Sequence, residues 1–262
     1  MSGTAEKLAN LRAALARQGL ETLVTNARVS LGFTPADSVL RGGLERGALH
    51  EVYAAPGHET SAAAFAAGLA ARVAGKKKIL WIRQDYSALE FGELSATGFL
   101  ELGIDPSQIL LVCTAHADDA IKAASDALTC AALGAIVIEI PGEPKILDLV
   151  TSRRLTLAAA QKNVAAFLLR FGAKPQASTA ETRWLVQGAA SPQGEENWGA
   201  PVFTTDLVRN RHGRTGHWVM EWNCDDGFFR EPAGKPAANY RAVVSQARDG
   251  SAAAAVEGAG RT

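Results

Sequence analysis

The sequence has few of the residues that support extracellular, metal-binding or membrane functions. Only three of its 262 residues are cysteine, Cys113, Cys130 and Cys224. Their wide spacing matches neither a disulfide framework nor a metal-binding pattern. No apolar run approaches the roughly 18 residues of a membrane span, and the first residues contain no apolar signal core. We therefore expect a cytoplasmic protein with reduced thiols and no membrane partner.

The chain also has no excess of charge of either sign. Its 27 lysines and arginines balance its 27 aspartates and glutamates, so the formal net charge is zero. A neutral chain has no overall electrostatic attraction to nucleic acid, and any basic surface must be a local patch. The length is sufficient for one sizeable α/β core, and there are no internal repeats.

The sequence does contain a regular alternation of apolar strands and helices. Strands are predicted at 49–53, 79–82, 109–112, 135–140 and 164–170, and helices from about 61 and over 88–102, 118–133 and 147–161. This order predicts a mostly parallel, right-handed α/β sheet flanked by helices. The continuous apolar strands agree, because both faces of such a sheet are covered.

The pattern changes after Arg170. Segments 202–209 and 217–222 alternate apolar and polar residues around a glycine turn, which predicts a C-terminal antiparallel β-hairpin. The whole chain is predicted to comprise an N-terminal helix and linker (1–37), a core domain (38–230) and a flexible tail (231–262). The N-terminal helix is predicted from Thr4 to Gln18, and a loop is predicted over 21–38.

A strand, a loop of small residues and a helix start follow one another near residue 54, as in a phosphate-binding loop. That motif requires G-x-x-x-x-G-K-[ST], but Ala54 and Glu59 replace the glycines and Thr60 replaces the lysine. Thr60 carries no positive charge, and Glu59 would repel phosphate oxygens. The sequence favours a loop kept for its shape over a divergent, weak ATPase.

Four segments carry a family resemblance: 42–53, 81–85, 102–139 and 207–222. Over about residues 38–225 the chain resembles the core of the RecA recombinase superfamily. Within that superfamily it resembles the ImuA-type proteins, RecA-like accessory factors of bacterial mutagenic DNA repair. The resemblance therefore implies a RecA-like core with a degenerate phosphate loop.

The resemblance also implies a function: a non-catalytic adaptor in SOS-induced translesion synthesis. It implies as partners an ImuB-type Y-family polymerase-like protein, RecA and, indirectly, an error-prone C-family DNA polymerase. ATP and Mg²⁺ are not expected as cofactors. Two alternatives stay open, the weak ATPase and a DNA-binding module that uses basic residues such as Arg153 and Arg154. Self-association and contact with single-stranded DNA also stay open.

The resemblance marks five positions as a vestigial nucleotide site: Gly57, Thr60, Ser61, Asp85 and Glu139. Asp85 follows a strand that in RecA ends in a water-activating glutamate, and the alternative is a helix cap. Glu139 is either an acid that holds Mg²⁺ through water or an ordinary polar strand end.

No metal site is predicted from the histidines near the phosphate loop. His50 and His58 flank this region, but neither has a second ligand at a metal-binding spacing. A zinc centre is therefore not expected there.

Three arginines of the hairpin, Arg209, Arg211 and Arg214, are predicted to contact a partner protein or phosphate groups. In ATPases that resemble this chain, matching basic residues reach toward the phosphate of a neighbouring subunit. Because Arg209 and Arg211 are two residues apart, they are predicted to point to one side of a strand. The alternative is a solvated basic turn over a core containing Trp218 and Trp222.

Overall fold

The computed structural model describes residues 27–191 and 199–233. The predicted helix from Thr4 to Gln18 and nearly all of the predicted tail lie outside the described residues. None of the helices within these two ranges is long and apolar enough to cross a membrane.

The described chain contains eleven strands and six α-helices. The strands are β1 (Arg28–Val29), β2 (Leu44–Glu45), β3 (Leu49–Ala54), β4 (Lys78–Gln84), β5 (Ile109–Thr114), β6 (Leu133–Glu139), β7 (Ala165–Arg170), β8 (Thr182–Ala189), β9 (Val202–Asn210), β10 (Gly216–Asn223) and β11 (Phe228–Arg230). The helices are α1 (Thr34–Val39), α2 (Glu59–Ala74), α3 (Ser87–Phe91), α4 (Ala96–Glu101), α5 (Ala117–Ala127) and α6 (Leu149–Lys162), and a 3₁₀ turn spans Pro106–Gln108.

Nine strands form one sheet in the order β11-β10-β9-β8-β3-β7-β6-β4-β5. The six strands from β8 to β5 in this order pair in parallel. The remaining pairings, from β8 out to β11, are antiparallel. The predicted fold class, a mostly parallel sheet flanked by helices with a C-terminal antiparallel hairpin, is confirmed.

Helices cover both faces of the sheet, which explains the continuous apolar strands. On one face, α2 buries Phe65 against Trp184, Phe203 and Phe229. Its many alanines let the helix lie close to the strands. On the other face, α5 and α6 pack on β4, β6 and β7. Burying one side chain of the size of Phe65 contributes about 2–3 kcal/mol, so these two layers hold the sheet in place.

The predicted loop over 21–38 is wrong in its described part. β1 pairs with β2, and the helix α1 follows it. Asp37 folds this segment, because its Oδ1 accepts the Leu31 N–H at 2.8 Å. As a result, Leu31 and Ala36 are fully buried in the core beside α2.

Two predicted helices also end earlier than expected. The helix predicted over 88–102 is two helices, because Gly92 ends α3 with φ of 85° and Ser95 begins α4 by accepting the Gly98 N–H. The helix predicted over 118–133 ends at Ala127, and Leu133 is the first residue of β6. The strand β11 was not predicted.

Candidate functional site

In the loop between β3 and α2, the backbone N–H groups donate to acceptors within the protein. Ala55 N–H donates to the Val186 carbonyl at 3.0 Å, and His58 N–H donates to the Ala55 carbonyl at 2.9 Å. Gly57 N–H donates to Glu59 Oε1 at 3.3 Å, and the remaining loop residue is a proline. A phosphate loop points such groups at an anion. Here they bond within the protein, and the carboxylate of Glu59 lies at the helix N-terminus.

His58 fastens this loop to the sheet. Its Nδ1 accepts the backbone N–H of Gly188 in β8 at 3.1 Å. Gly188 also lets Ser61 of α2 lie close to β8, since a Cβ at Gly188 would lie 2.5 Å from Ser61 Oγ. In the sequence, His58 was considered only as a metal ligand. Its role as a hydrogen-bond acceptor depends on a contact across 130 residues.

Glu139 is buried, and both of its carboxylate oxygens are bonded to side chains. Its Oε2 accepts Trp81 Nε1–H at 2.9 Å, and its Oε1 accepts Arg83 Nη2–H at 3.0 Å. Arg83 is only 3% exposed, and it also donates twice to the Gly92 carbonyl. The guanidinium therefore supplies the positive charge that a metal ion would otherwise supply to this acid.

Asp85 is exposed to solvent, whereas Glu139 is buried. It is exposed one residue beyond β4, where its backbone N–H donates to the Thr114 carbonyl at 2.8 Å. The prediction that Asp85 caps a helix is wrong, because the N-cap of α3 is Tyr86 and no side chain caps this helix. Glu139, by contrast, is held inside the sheet.

A second buried ion pair joins β3 and β8. Arg183 Nε donates to Glu51 Oε2 at 2.5 Å. The guanidinium carbons of Arg183 and Arg170 lie 5.6 and 5.7 Å from the ring centre of Tyr53. Burial, followed by the charge of Glu51, raises the pKa of the Tyr53 hydroxyl. These residues were not predicted, and they form a closed network in which each charge faces an internal partner.

An apolar groove lies between α2 and α4, beside the exposed Thr60. Its volume is about 270 Å³, and its lining includes Ala63, Trp81, Phe99 and Leu102. Among the described residues, the lining also includes Thr60, Glu93 and Ser95 but no lysine or arginine, so the groove offers no positive charge to a phosphate. Thr60 and Ser61 therefore lie within one helical turn of the loop but do not form a charged pocket with it.

His50 is fully buried between two hydrogen-bond partners. Its Nδ1 faces Thr182 Oγ1 at 2.8 Å, and its Nε2 faces the Glu45 carbonyl at 2.9 Å. Burial lowers the pKa of His50 from 6.5 to about 4. The imidazole is neutral near pH 7, and both ring nitrogens are occupied by the protein.

One group of three ligand-type side chains comes together in the described ranges: Glu45, Glu181 and His212. Arg28 lies among them, with its Nη2 2.9 Å from Glu45 Oε2 and 3.3 Å from Glu181 Oε1. His212 Nε2 is 2.9 Å from the same Glu181 oxygen. The positive charge among these three side chains is therefore supplied by the guanidinium group of Arg28.

The hairpin arginines do not share a strand. β9 ends at Asn210, so Arg211 and Arg214 lie in the turn and only Arg209 is a strand residue. The prediction that spacing alone places Arg209 and Arg211 on one side of a strand is wrong for this reason. Asn210, which was not singled out, shapes the turn, since its Oδ1 accepts the His212 N–H at 3.1 Å.

The tryptophans support the hairpin as predicted. Trp222 is buried and donates its Nε1–H to the Leu102 carbonyl at 2.8 Å. Trp218 lies 6.0 Å from Trp184 between ring centres and packs against the same core. The hairpin is therefore packed without help from its arginines.

The sheet order and the loop–helix arrangement define a RecA-like α/β protein. The crystal structure of the RadB recombinase aligns with a TM-score of 0.52 and 15% sequence identity, covering 78% of this chain and 99% of that chain. In sequence, Protein ImuA from two strains of Caulobacter vibrioides is 29% identical over 236 residues, covering 83% of this chain and 88% of the relative. No protein-family model matches the chain. The predicted resemblance to ImuA-type, RecA-like proteins is confirmed.

Proposed function

We propose that the protein is a non-catalytic, RecA-like adaptor in error-prone DNA repair. The observation that carries this proposal is the state of Glu139, whose two oxygens are bonded to Trp81 and Arg83. In ATPases of this class, an acid at the end of this strand holds Mg²⁺. Here the charge is neutralised inside the protein. The similarity to Protein ImuA supports the repair context.

The phosphate loop supports the same interpretation. It has Ala54, Glu59 and Thr60 where the motif requires two glycines and a lysine. Its backbone N–H groups bond within the protein, one of them to Glu59. We infer that neither ATP nor Mg²⁺ is a cofactor. The RecA-like core then serves as a scaffold that presents surfaces to other proteins, namely an ImuB-type polymerase-like protein and RecA, and through them a C-family polymerase.

We expect titration calorimetry with ATP and Mg²⁺ to show no binding tighter than about 1 mM. Glu59→Gly combined with Thr60→Lys should not restore binding, because Glu139 would remain paired with Arg83. A dissociation constant in the micromolar range for the natural chain, or ATP turnover that disappears in Asp85→Ala, would contradict the proposal.

The edge strand β5 offers a surface for a protein partner. Leu110 and Leu111 are 45% and 48% exposed and point to opposite faces of the strand. β5 pairs with β4 on one side, and no strand in the described ranges pairs with its other side. Open edges attract a partner strand, and proteins usually protect them with charges. An edge with two exposed leucines is therefore suited to an added strand from a partner.

Leu111→Lys should weaken binding of the purified ImuB-type partner or of RecA at least about tenfold, because a charge would block strand addition. Its free energy of unfolding should change by no more than about 0.5 kcal/mol, as is usual for exposed sites. The matched control is Leu157→Lys on α6, where Leu157 is 56% exposed. Surface plasmon resonance measures the affinity of both variants for the partner. Unchanged affinity of Leu111→Lys for every partner would exclude β5 as the contact.

A further inference from the structure

We propose that four arginines around the β9–β10 turn form a binding site for the phosphodiester backbone of nucleic acid. We call Arg41, Arg209, Arg211 and Arg214 the arginine patch. The site goes beyond the adaptor role and does not depend on it. It lies at the end of the sheet where β8 begins, because Thr182 at the start of β8 pairs with Asn210 at the end of β9.

The fold joins two distant parts of the chain at this patch. The side-chain amide of Asn210 donates to the carbonyl of Val39 at 3.2 Å and to the carbonyl of Arg214 at 2.8 Å. Both carbonyls therefore lie against the same nitrogen atom. Since Arg41 follows Val39 by two residues, it lies beside the turn that carries Arg211 and Arg214.

Within residues 27–191 and 199–233, the side chains of the arginine patch have no internal partners. Arg41, Arg211 and Arg214 are exposed and Arg209 is half-buried. Within the described ranges none of the four guanidinium groups makes a hydrogen bond or an ion pair. A chain with no net charge therefore carries four unpaired guanidinium groups on the segments around this turn.

Two carboxylates beside the turn, Glu45 and Glu181, are bonded to groups outside the arginine patch. Glu181 is bonded to Arg28 and His212, and Glu45 is bonded to Arg28. Arg28 also donates to the carbonyls of Leu40 and Gly43 on either side of Arg41. The acids are thus used to hold the segment in place, which leaves the arginine patch available to an external anion.

Arg41 has a backbone conformation that ordinarily favours glycine. Arg41 has φ of 57°, in the left-handed region. Non-glycine side chains are disfavoured there, and such residues persist where the surrounding structure or a function requires them. Glycine would fit this position with less strain, and glycines already follow at positions 42 and 43.

The composition of the surface favours nucleic acid over a protein ligand. Protein interfaces have an apolar centre, whereas nucleic-acid interfaces are more polar and much more positive. Among the large apolar residues of the β9–β10 hairpin, Val208 is the exposed one in the described ranges. Arginine donates paired hydrogen bonds that match phosphate oxygens. The patch presents a turn and no long helix, so we expect backbone contacts without base readout.

The test is fluorescence anisotropy of the full chain with labelled oligo-dT and with a duplex of equal length, over a series of salt concentrations. Each phosphate contact on a single strand contributes about 0.7 to the slope of log affinity against log salt, so four contacts predict a slope of about −3. Replacing Arg209, Arg211 and Arg214 by alanine should reduce the slope to below about 1 in magnitude and weaken binding at least about tenfold at low salt. The two probes show whether the phosphates come from a single strand or a duplex.

Arg41→Gly separates function from folding. It should weaken binding about threefold or more while the melting temperature stays equal or rises, because glycine relieves the backbone. Arg41→Lys should keep the salt slope. The control Lys122→Ala, at an exposed position of α5, should leave the affinity and the salt slope unchanged.

Three results would overturn the proposal. The first is no salt-dependent binding of either oligonucleotide by the natural chain. The second is unchanged affinity after Arg41→Gly and after the triple substitution. The third is tighter binding of a polyglutamate peptide than of either oligonucleotide, which would make the arginine patch a protein interface. The Arg41→Gly variant keeps the test decisive if the triple variant does not fold.

Discussion

Arg83→Ala is expected to destabilise the fold by about 3–5 kcal/mol, because it leaves a buried carboxylate without its counter-ion. Glu139 is 1% exposed, and after the substitution only the Trp81 N–H would remain bonded to it. One neutral hydrogen bond does not offset the desolvation of a charge. Denaturant unfolding followed by circular dichroism measures the loss.

Two further variants give this experiment its controls. Arg83→Met combined with Glu139→Gln removes both charges and should recover much of the lost stability, because an unpaired charge no longer remains. Arg154→Ala, at an exposed position, should change stability by less than about 0.5 kcal/mol. If Arg83→Ala were fully stable and gained Mg²⁺-dependent nucleotide binding, Glu139 would be a metal-site acid rather than part of a structural ion pair.

Acidification should destabilise the protein through His50 by about 3 kcal/mol between pH 6.5 and 4. The pKa of His50 is about 4 in the folded protein, against 6.5 for an unperturbed histidine. As pH falls below 6.5, the unfolded chain binds a proton that the folded chain does not. This contribution to stability is therefore fully present above about pH 6.5 and is lost as the pH falls toward 4. Unfolding free energies across this range measure the slope.

The comparison variant is His50→Gln, which removes the titrating group. Its stability should depend less on pH between 6.5 and 5 than that of the natural chain. Hydrogen bonds lower the pKa values of Asp105 and Asp148 below 3.8, so these carboxyls act mainly at more acidic pH. Equal slopes for both proteins between pH 6.5 and 5 would show that His50 is not protected from protonation.

The sequence alone was sufficient for the fold class. Strands such as β6 and β7 are buried on both faces, so their sequences are continuous apolar segments. Such segments indicate a parallel sheet that is covered on both faces. The residue that follows Glu59 is also visible directly in the sequence as Thr60 and not a lysine. Helix ends were less predictable, because Gly92 and Ser95 divide what apolar spacing alone presents as one helix.

The tertiary structure decided what the polar residues do. Arg83 faces Glu139 because β4 and β6 pair in that register, across 56 residues of sequence. The segment before Arg41 lies beside the turn that carries Arg214, because one amide of Asn210 donates to the Val39 and Arg214 carbonyls. Apolar periodicity is a local property that short stretches of sequence record. The partner of a charged side chain depends on strand order and register, which arise only when distant segments pack together.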